Sequence, residues 1–86
     1  MSDTETYDDT VIEAVRSALD EVMGISLDMD TLDTPLADAG IDSLDLIETV
    51  MVVEEGLGIS TSESDFEGVS TLREAIEVFE RHKASA

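Results

Sequence analysis

The chain has no cysteine and no tryptophan, one proline, and only four basic residues against 22 acidic ones in 86 positions. Without cysteine, disulfides, thiolate catalysis and zinc–thiolate sites are excluded. The three aromatics, Tyr7, Phe66 and Phe79, are too few to fill a core, which must be built from Val, Ile, Leu, Met and Ala. No run of about 18 apolar residues occurs, and no basic n-region precedes an apolar h-region. Neither a membrane span nor a secretory signal is expected, and the expected location is cytoplasmic.

The scarcity of base is uneven. Arg16, Arg73, Arg81 and Lys83 are the four, so residues 17–72 hold fourteen acids and no Lys or Arg, and the net charge is −18. Such a field repels nucleic acid and anionic membrane and attracts basic protein surfaces. It also opposes folding, and salt screens it. The melting temperature is expected to rise with added NaCl or divalent cations; a melting temperature flat across a salt titration would contradict this.

Eighty-six residues make one domain with a small core. Residues 1–9 are polar and acidic without periodicity and read as a flexible tail. "TVIE" at 10–13 has the form of a capping box, Thr10 as N-cap and Glu13 at N3. Val11, Ile12, Val15, Ala18, Leu19, Val22 and Met23 then follow helical spacing, so a first helix is expected over Val11–Met23, stopped by Gly24. Residues 25–41 have no long period, but Ile25, Leu27, Leu32, Leu36 and Ile41 could pin an ordered connection to the core. Thr34-Pro35 suits the start of a short turn, and Gly40 could end it.

A second main helix is expected over Ser43–Glu55, with Asp42 as N-cap and Asp45 in the first turn, broken by Gly56 and Gly58. Leu46, Val50 and Val53 fall on one face and are the expected buried stripe. "SDFEG" at 64–68 fits a single helical turn, and "TLRE" at 71–74 is a capping box for a last helix that buries Leu72, Ala75, Ile76 and Phe79. No strand-like alternation appears. The reading is an all-α fold, a small four-helix bundle of three main helices and a short third one. The domain is expected over residues 10–81, with a C-terminal tail at 82–86.

Little in this chain could be catalytic. The single histidine, His82, lies in the terminal stretch "ERHK" and is expected to be solvated rather than part of a triad. "DMDTLDTPLADA" begins at Asp28 like a calcium loop, but Leu32, Asp33 and Ala39 stand where the fifth ligand, the glycine and the bidentate Glu are needed. No dedicated metal site is expected. Carboxylates are abundant but lack the basic or aromatic partners that would bind a substrate, so no enzyme is expected.

Ser43 is different because of its neighbours. A second apolar stripe, Leu44, Ile47 and Met51, begins beside it and is lined with acids, as a docking surface would be. The Ser43 hydroxyl stands at the positive end of its helix, which favours a phosphate ester. "GIDSLDLIETVMVVEE" resembles the Gly-x-Asp-Ser-Leu signature of acyl carrier proteins with the acidic helix behind it. "TPLADAGIDSL" resembles the loop leading into that family's attachment site, and the likeness runs without a gap from the first helix to "STLREAIEVF".

The resemblance implies that Ser43 carries a 4′-phosphopantetheine arm donated by coenzyme A through a magnesium-dependent phosphopantetheinyl transferase. The arm's thiol would hold acyl groups as thioesters, which fits a chain without cysteine of its own. It further implies that Asp42, Leu44, Asp45, Ile47, Glu48, Met51, Glu54 and Glu55 contact basic patches on partners. Those partners would be the transferase, an acyl-loading ligase or acyltransferase, and synthase, condensation or tailoring enzymes of fatty acid, polyketide or lipopeptide assembly. A monomer is expected. Thr49, where the family usually has an aliphatic residue, and "GLGISTS" depart from the fatty-acid members and leave room for a dedicated carrier in polyketide or lipopeptide assembly. Two alternatives are a peptidyl or aminoacyl carrier and an acidic helical interaction module with no covalent group.

Overall fold

The computed structural model of the chain describes residues 8–85. Four α-helices follow in order: α1 (Asp9–Met23), α2 (Met29–Asp33), α3 (Ser43–Leu57) and α4 (Leu72–Ser85), with one 3-10 turn at Glu63–Phe66 between α3 and α4. No strand occurs among the described residues; a single backbone bridge links Pro35 to Thr71. The all-helical expectation holds, with a different distribution of short elements. The expected short third helix is the 3-10 turn, and α2 lies in the stretch without a long period.

α1 starts earlier than its sequence suggests. Asp8, not Thr10, is the N-cap, and its side chain accepts from the Thr10 N–H at 2.8 Å. Asp caps at least as well as Thr, and here Asp8 also pairs with Lys83 at 3.0 Å while its own N–H donates to Glu80. Two of the nine residues read as a tail, Asp8 and Asp9, are therefore inside the fold; residues 1–7 lie outside the described residues. At the other end α4 continues past residue 81, because Lys83 and His82 both meet partners on other elements. Gly24 ends α1 in the left-handed conformation, as its position suggests.

α2 is the element the periodicity does not reveal. Asp28 caps it through the Thr31 N–H, and Asp33 at its end forms a two-pronged pair with Arg73 of α4, at 2.7 and 3.0 Å. The residues that resemble a calcium loop at its start and middle thus serve as a cap and a strut. Leu32 and Ile41 are buried, and Ile25, Leu27 and Leu36 pack against the core. The turn after Pro35 closes with the Ile41 N–H on the Leu36 carbonyl, so the long connection is ordered.

The core joins Val11, Ile12, Val15, Ala18 and Leu19 of α1 to Val53 of α3 and Leu72, Ala75, Ile76 and Phe79 of α4. The buried stripe of α3 is rotated relative to the expected one. Thr49 and Val53 are its buried residues, whereas Leu46 and Val50 are only partly covered. Thr49 is tolerated at 3% exposure because its hydroxyl donates to the Asp45 carbonyl at 2.8 Å. The rotation leaves Leu46 and Val50 facing a groove. Gly56 does not break α3, which runs on to Leu57 and caps at Gly58 in the left-handed region. A helical Gly costs about 1 kcal/mol relative to Ala, too little to outweigh the packing on either side.

Five carboxyls are held below their ordinary values by hydrogen bonds that only the fold provides. Lys83 does this for Asp8, the Thr31 N–H for Asp28, Arg73 for Asp33, the Ser62 N–H for Asp65 and the Ser70 N–H for Glu74. A lowered folded pKa means that the unfolded chain takes up the proton first. The stability these groups contribute is therefore full above the ordinary carboxylate range and is lost as pH falls through their lowered values. Mild acid also relieves the net repulsion. The melting temperature is expected to pass through a maximum on acidification and then fall below about pH 4. Asp33→Asn should shrink that final fall; an unchanged acid limb in circular-dichroism melts would contradict the assignment.

Candidate functional site

Asp42 sets the start of α3. Its Oδ1 accepts from the Asp45 N–H at 2.8 Å, and the Asp45 carboxylate reaches back to the Asp42 N–H at 3.5 Å, a reciprocal box made of two aspartates. Ser43 is consequently the first residue of the helix, exposed, with its side chain beside the positive end of the helix dipole. The first N–H groups of a helix have no acceptor within it, so this end suits an anionic group. A phosphate ester on Ser43 would meet that end directly. The residues present fit the group.

From Ser43 a groove runs along α3 toward the 3-10 turn, bordered by Leu46, Ile47, Glu63, Phe66 and Glu67. It continues into a cavity of about 200 Å³ whose apolar walls are Leu46, Ile47, Val50, Met51 and Phe66. Phe66 is held by Phe79 of the core, ring centroids 5.4 Å apart and tilted by 57°. Sequence spacing places Phe66 only in a single helical turn and gives Thr61 and Glu63 no part in a groove. The one available signal is a lone aromatic following a hydroxyl-rich stretch after Gly58.

The expected docking residues separate into two groups. Leu44, Ile47 and Met51 form the exposed apolar stripe, 63%, 42% and 60% exposed, and among the described residues are the large hydrophobic ones most open to solvent. Glu48 and Glu55 are exposed beside that stripe. Asp42 and Asp45 belong to the cap but stay at the same helix end. Glu54 is half-buried, and its Oε2 accepts from both the Thr61 N–H and the Thr61 hydroxyl, the latter at 2.7 Å. It faces the loop after α3. His82, expected to be solvated, is partly covered and lies with Nε2 3.0 Å from Asp65, joining the 3-10 turn to α4.

Comparison with known proteins bears on this arrangement. The family model described as the phosphopantetheine attachment site matches residues 13–79. An acyl carrier protein of Cyanidium caldarium is 40% identical over 68 residues, covering 78% of this chain and 79% of its own. The chain belongs to the acyl carrier protein family. A second member, from Guillardia theta, is 32% identical over 76 residues, 87% of this chain and 94% of its own. The solution structure of the acetyl actinorhodin acyl carrier protein from Streptomyces coelicolor superposes with a TM-score of 0.67 at 31% identity, covering 90% of each chain.

Membership settles the class of activity. The protein is a carrier and not a catalyst, and its covalent cofactor is 4′-phosphopantetheine. The cofactor supplies a terminal thiol on which acyl groups ride as thioesters, and the chain supplies its anchor. Its partners are the transferase that installs the cofactor and the synthetic enzymes that load and use the cargo. No helix among the described residues is long and apolar enough to cross a membrane.

Proposed function

We propose that Ser43 is the attachment point of the arm and that α3 presents the carrier to its enzymes. The observation that carries this reading is the position of Ser43, an exposed hydroxyl on the first residue of α3, where the helix dipole meets the mouth of the apolar groove. The Asp42–Ser43–Leu44 sequence within the matched family segment supports the same residue. Intact-mass analysis of wild type and Ser43→Ala after treatment with coenzyme A and a transferase tests it.

In this reading Leu44, Ile47 and Met51 supply the apolar contact with partner enzymes. Asp42, Asp45, Glu48, Glu54 and Glu55 supply the negative field, with Glu48 and Glu55 best exposed to meet a basic patch. Reversing either of these two to Lys is expected to lower the association rate with the transferase up to ~10-fold at low ionic strength, the difference shrinking as salt rises. The melting temperature should stay level or rise, since net charge moves toward zero. Stopped-flow association rates that match wild type at low salt would remove these residues from the interface.

"GLGISTS" differs from the fatty-acid carriers, and the similar structure is named for actinorhodin, so a dedicated carrier of polyketide or lipopeptide assembly is favoured over a housekeeping one. Loading assays with fatty, malonyl and aminoacyl donors separate these and the peptidyl-carrier alternative. The proposed compartment is the cytoplasm, where coenzyme A and the transferase would both be available.

A further inference from the structure

α3 is held at two places. Its middle packs on α1, with Thr49 and Val53 buried. Its start follows the turn after Pro35, and that turn is fastened to the foot of α4. The Leu36 N–H donates to the Ser70 carbonyl at 2.8 Å, and Pro35 pairs with Thr71 through a backbone bridge. The Leu36 carbonyl in turn accepts from the Ile41 N–H at 2.9 Å, and Ile41 is buried. Asp42, the cap, and Ser43 come next in the chain. A short relay of backbone hydrogen bonds thus joins residue 70 to the residue before the cap.

Ser70 is exposed and precedes α4, so its place has to be set by a side chain. Glu74 sets it. Its Oε1 accepts from the Ser70 N–H at 2.7 Å, the Ser70 hydroxyl at 2.9 Å and the Thr71 N–H at 3.2 Å. These bonds hold the Glu74 carboxyl below its ordinary range, so it is an ionised acceptor at neutral pH. Capping α4 requires only the bond to the Thr71 N–H. The two bonds to Ser70 lie outside the helix, and what they fix is the peptide unit whose carbonyl Leu36 uses.

Resting on the Ser43 attachment, we propose that Glu74 is a positioning residue for the modification of Ser43, acting through Ser70, Leu36 and Ile41 on the start of α3. Transfer bonds the Ser43 Oγ to the pantetheine-side phosphorus of coenzyme A, breaks the pyrophosphate bond so that the nucleotide part leaves, and passes the hydroxyl proton to the transferase. The oxygen must stand in line with the bond that breaks, and a misplacement of about 1 Å costs up to ~100-fold in rate. Docking uses the stripe along α3, which α1 holds.

The test is single-turnover transfer to the full chain at rising transferase concentration, where the saturated rate reads positioning and the half-saturating concentration reads docking. Glu74→Ala is expected to lower the saturated rate by about 10- to 100-fold and to leave the half-saturating concentration unchanged. Glu74→Gln, whose amide oxygen still accepts from Ser70, should recover most of the rate. Val78→Ala is the control for lost stability alone, since Val78 is buried on α4 and makes none of these bonds. All variants are compared where circular dichroism shows them folded. The Leu36 and Ile41 amides should exchange faster in Glu74→Ala and not in Val78→Ala. A saturated rate in Glu74→Ala equal to wild type, or lowered no further than in Val78→Ala, would overturn the proposal, as would unchanged exchange at Leu36.

Should Glu74→Ala not fold, amide exchange in the wild type decides. Protection of both Leu36 and Ile41 supports the relay; a Leu36 amide that exchanges as fast as an exposed one means that α3 is placed without Ser70, and the proposal fails. Failure of the underlying attachment is read separately, as a phosphopantetheine mass gain that persists in Ser43→Ala whatever the rate in Glu74→Ala.

Discussion

Incubated with coenzyme A, magnesium and a phosphopantetheinyl transferase, the wild-type chain is expected to gain the mass of one phosphopantetheine, and Ser43→Ala none. The effect is all-or-none because the new bond needs a hydroxyl oxygen, and removal of that single atom leaves nothing to esterify. Other hydroxyls are abundant, including Ser60, Thr61, Ser62 and Ser64 in one stretch, so the experiment discriminates between sites. Ser43 differs from them in standing on the first turn of a long helix whose preceding cap, Asp42, is already engaged with Asp45. Ala at a first helical position is a good helix former, and the cap is untouched, so the variant should melt within about 0.5 kcal/mol of wild type. A modified Ser43→Ala protein would move the attachment elsewhere. An unmodified wild type would favour the interaction-module reading of its acidic helix.

The second large effect is on stability. Phe79→Ala is expected to cost about 3–5 kcal/mol. Phe79 is 1% exposed and, among the described residues, the largest fully buried side chain, in a core otherwise made of aliphatic residues. The substitution would leave a cavity in the core, and Phe66 would lose its aromatic partner. A domain of this size has about 4–13 kcal/mol in all, and a net charge of −18 argues for the lower part of that range. The variant should therefore be largely unfolded near room temperature in low salt and partly recovered in high salt. The recovery separates charge repulsion from the cavity, since salt acts on the first and leaves the second in place. Chemical denaturation that finds a loss under about 1 kcal/mol would show that the core closes around the missing ring.

Much of the site is legible in the sequence because it is local. Ser43, its Asp42 cap and the Leu44–Ile47–Met51 stripe all lie on one helix, where spacing alone places side chains on a face. The "TLRE" box at the start of α4 is legible for the same reason, and it forms between Thr71 and Glu74 as its residues suggest. The misplaced features involve choices between near-equal local options. Asp8 and Thr10 can both cap α1, and contact with Lys83 adds to the case for Asp8. In α3 two apolar stripes are adjacent, and a rotation of the helix by a fraction of a turn decides whether Val50 or Thr49 goes inside. Local hydropathy favours Val50; the packing of α3 on α1, with Gly56 3.9 Å from Ala14 were it to bear a Cβ, puts Thr49 there instead.

What the residues alone determined, then, is the helical class, the aliphatic core, the acidic field and the exposed serine, since each depends on composition or on neighbours within a turn. Tertiary structure decided the rest. It brought Thr61 to Glu54 across 7 positions, Arg73 to Asp33 across 40 and Lys83 to Asp8 across 75. It also left Leu46 and Val50 lining a groove. Contacts of that range arise only when the helices pack, because their partners are set by which faces meet and not by any spacing along the chain.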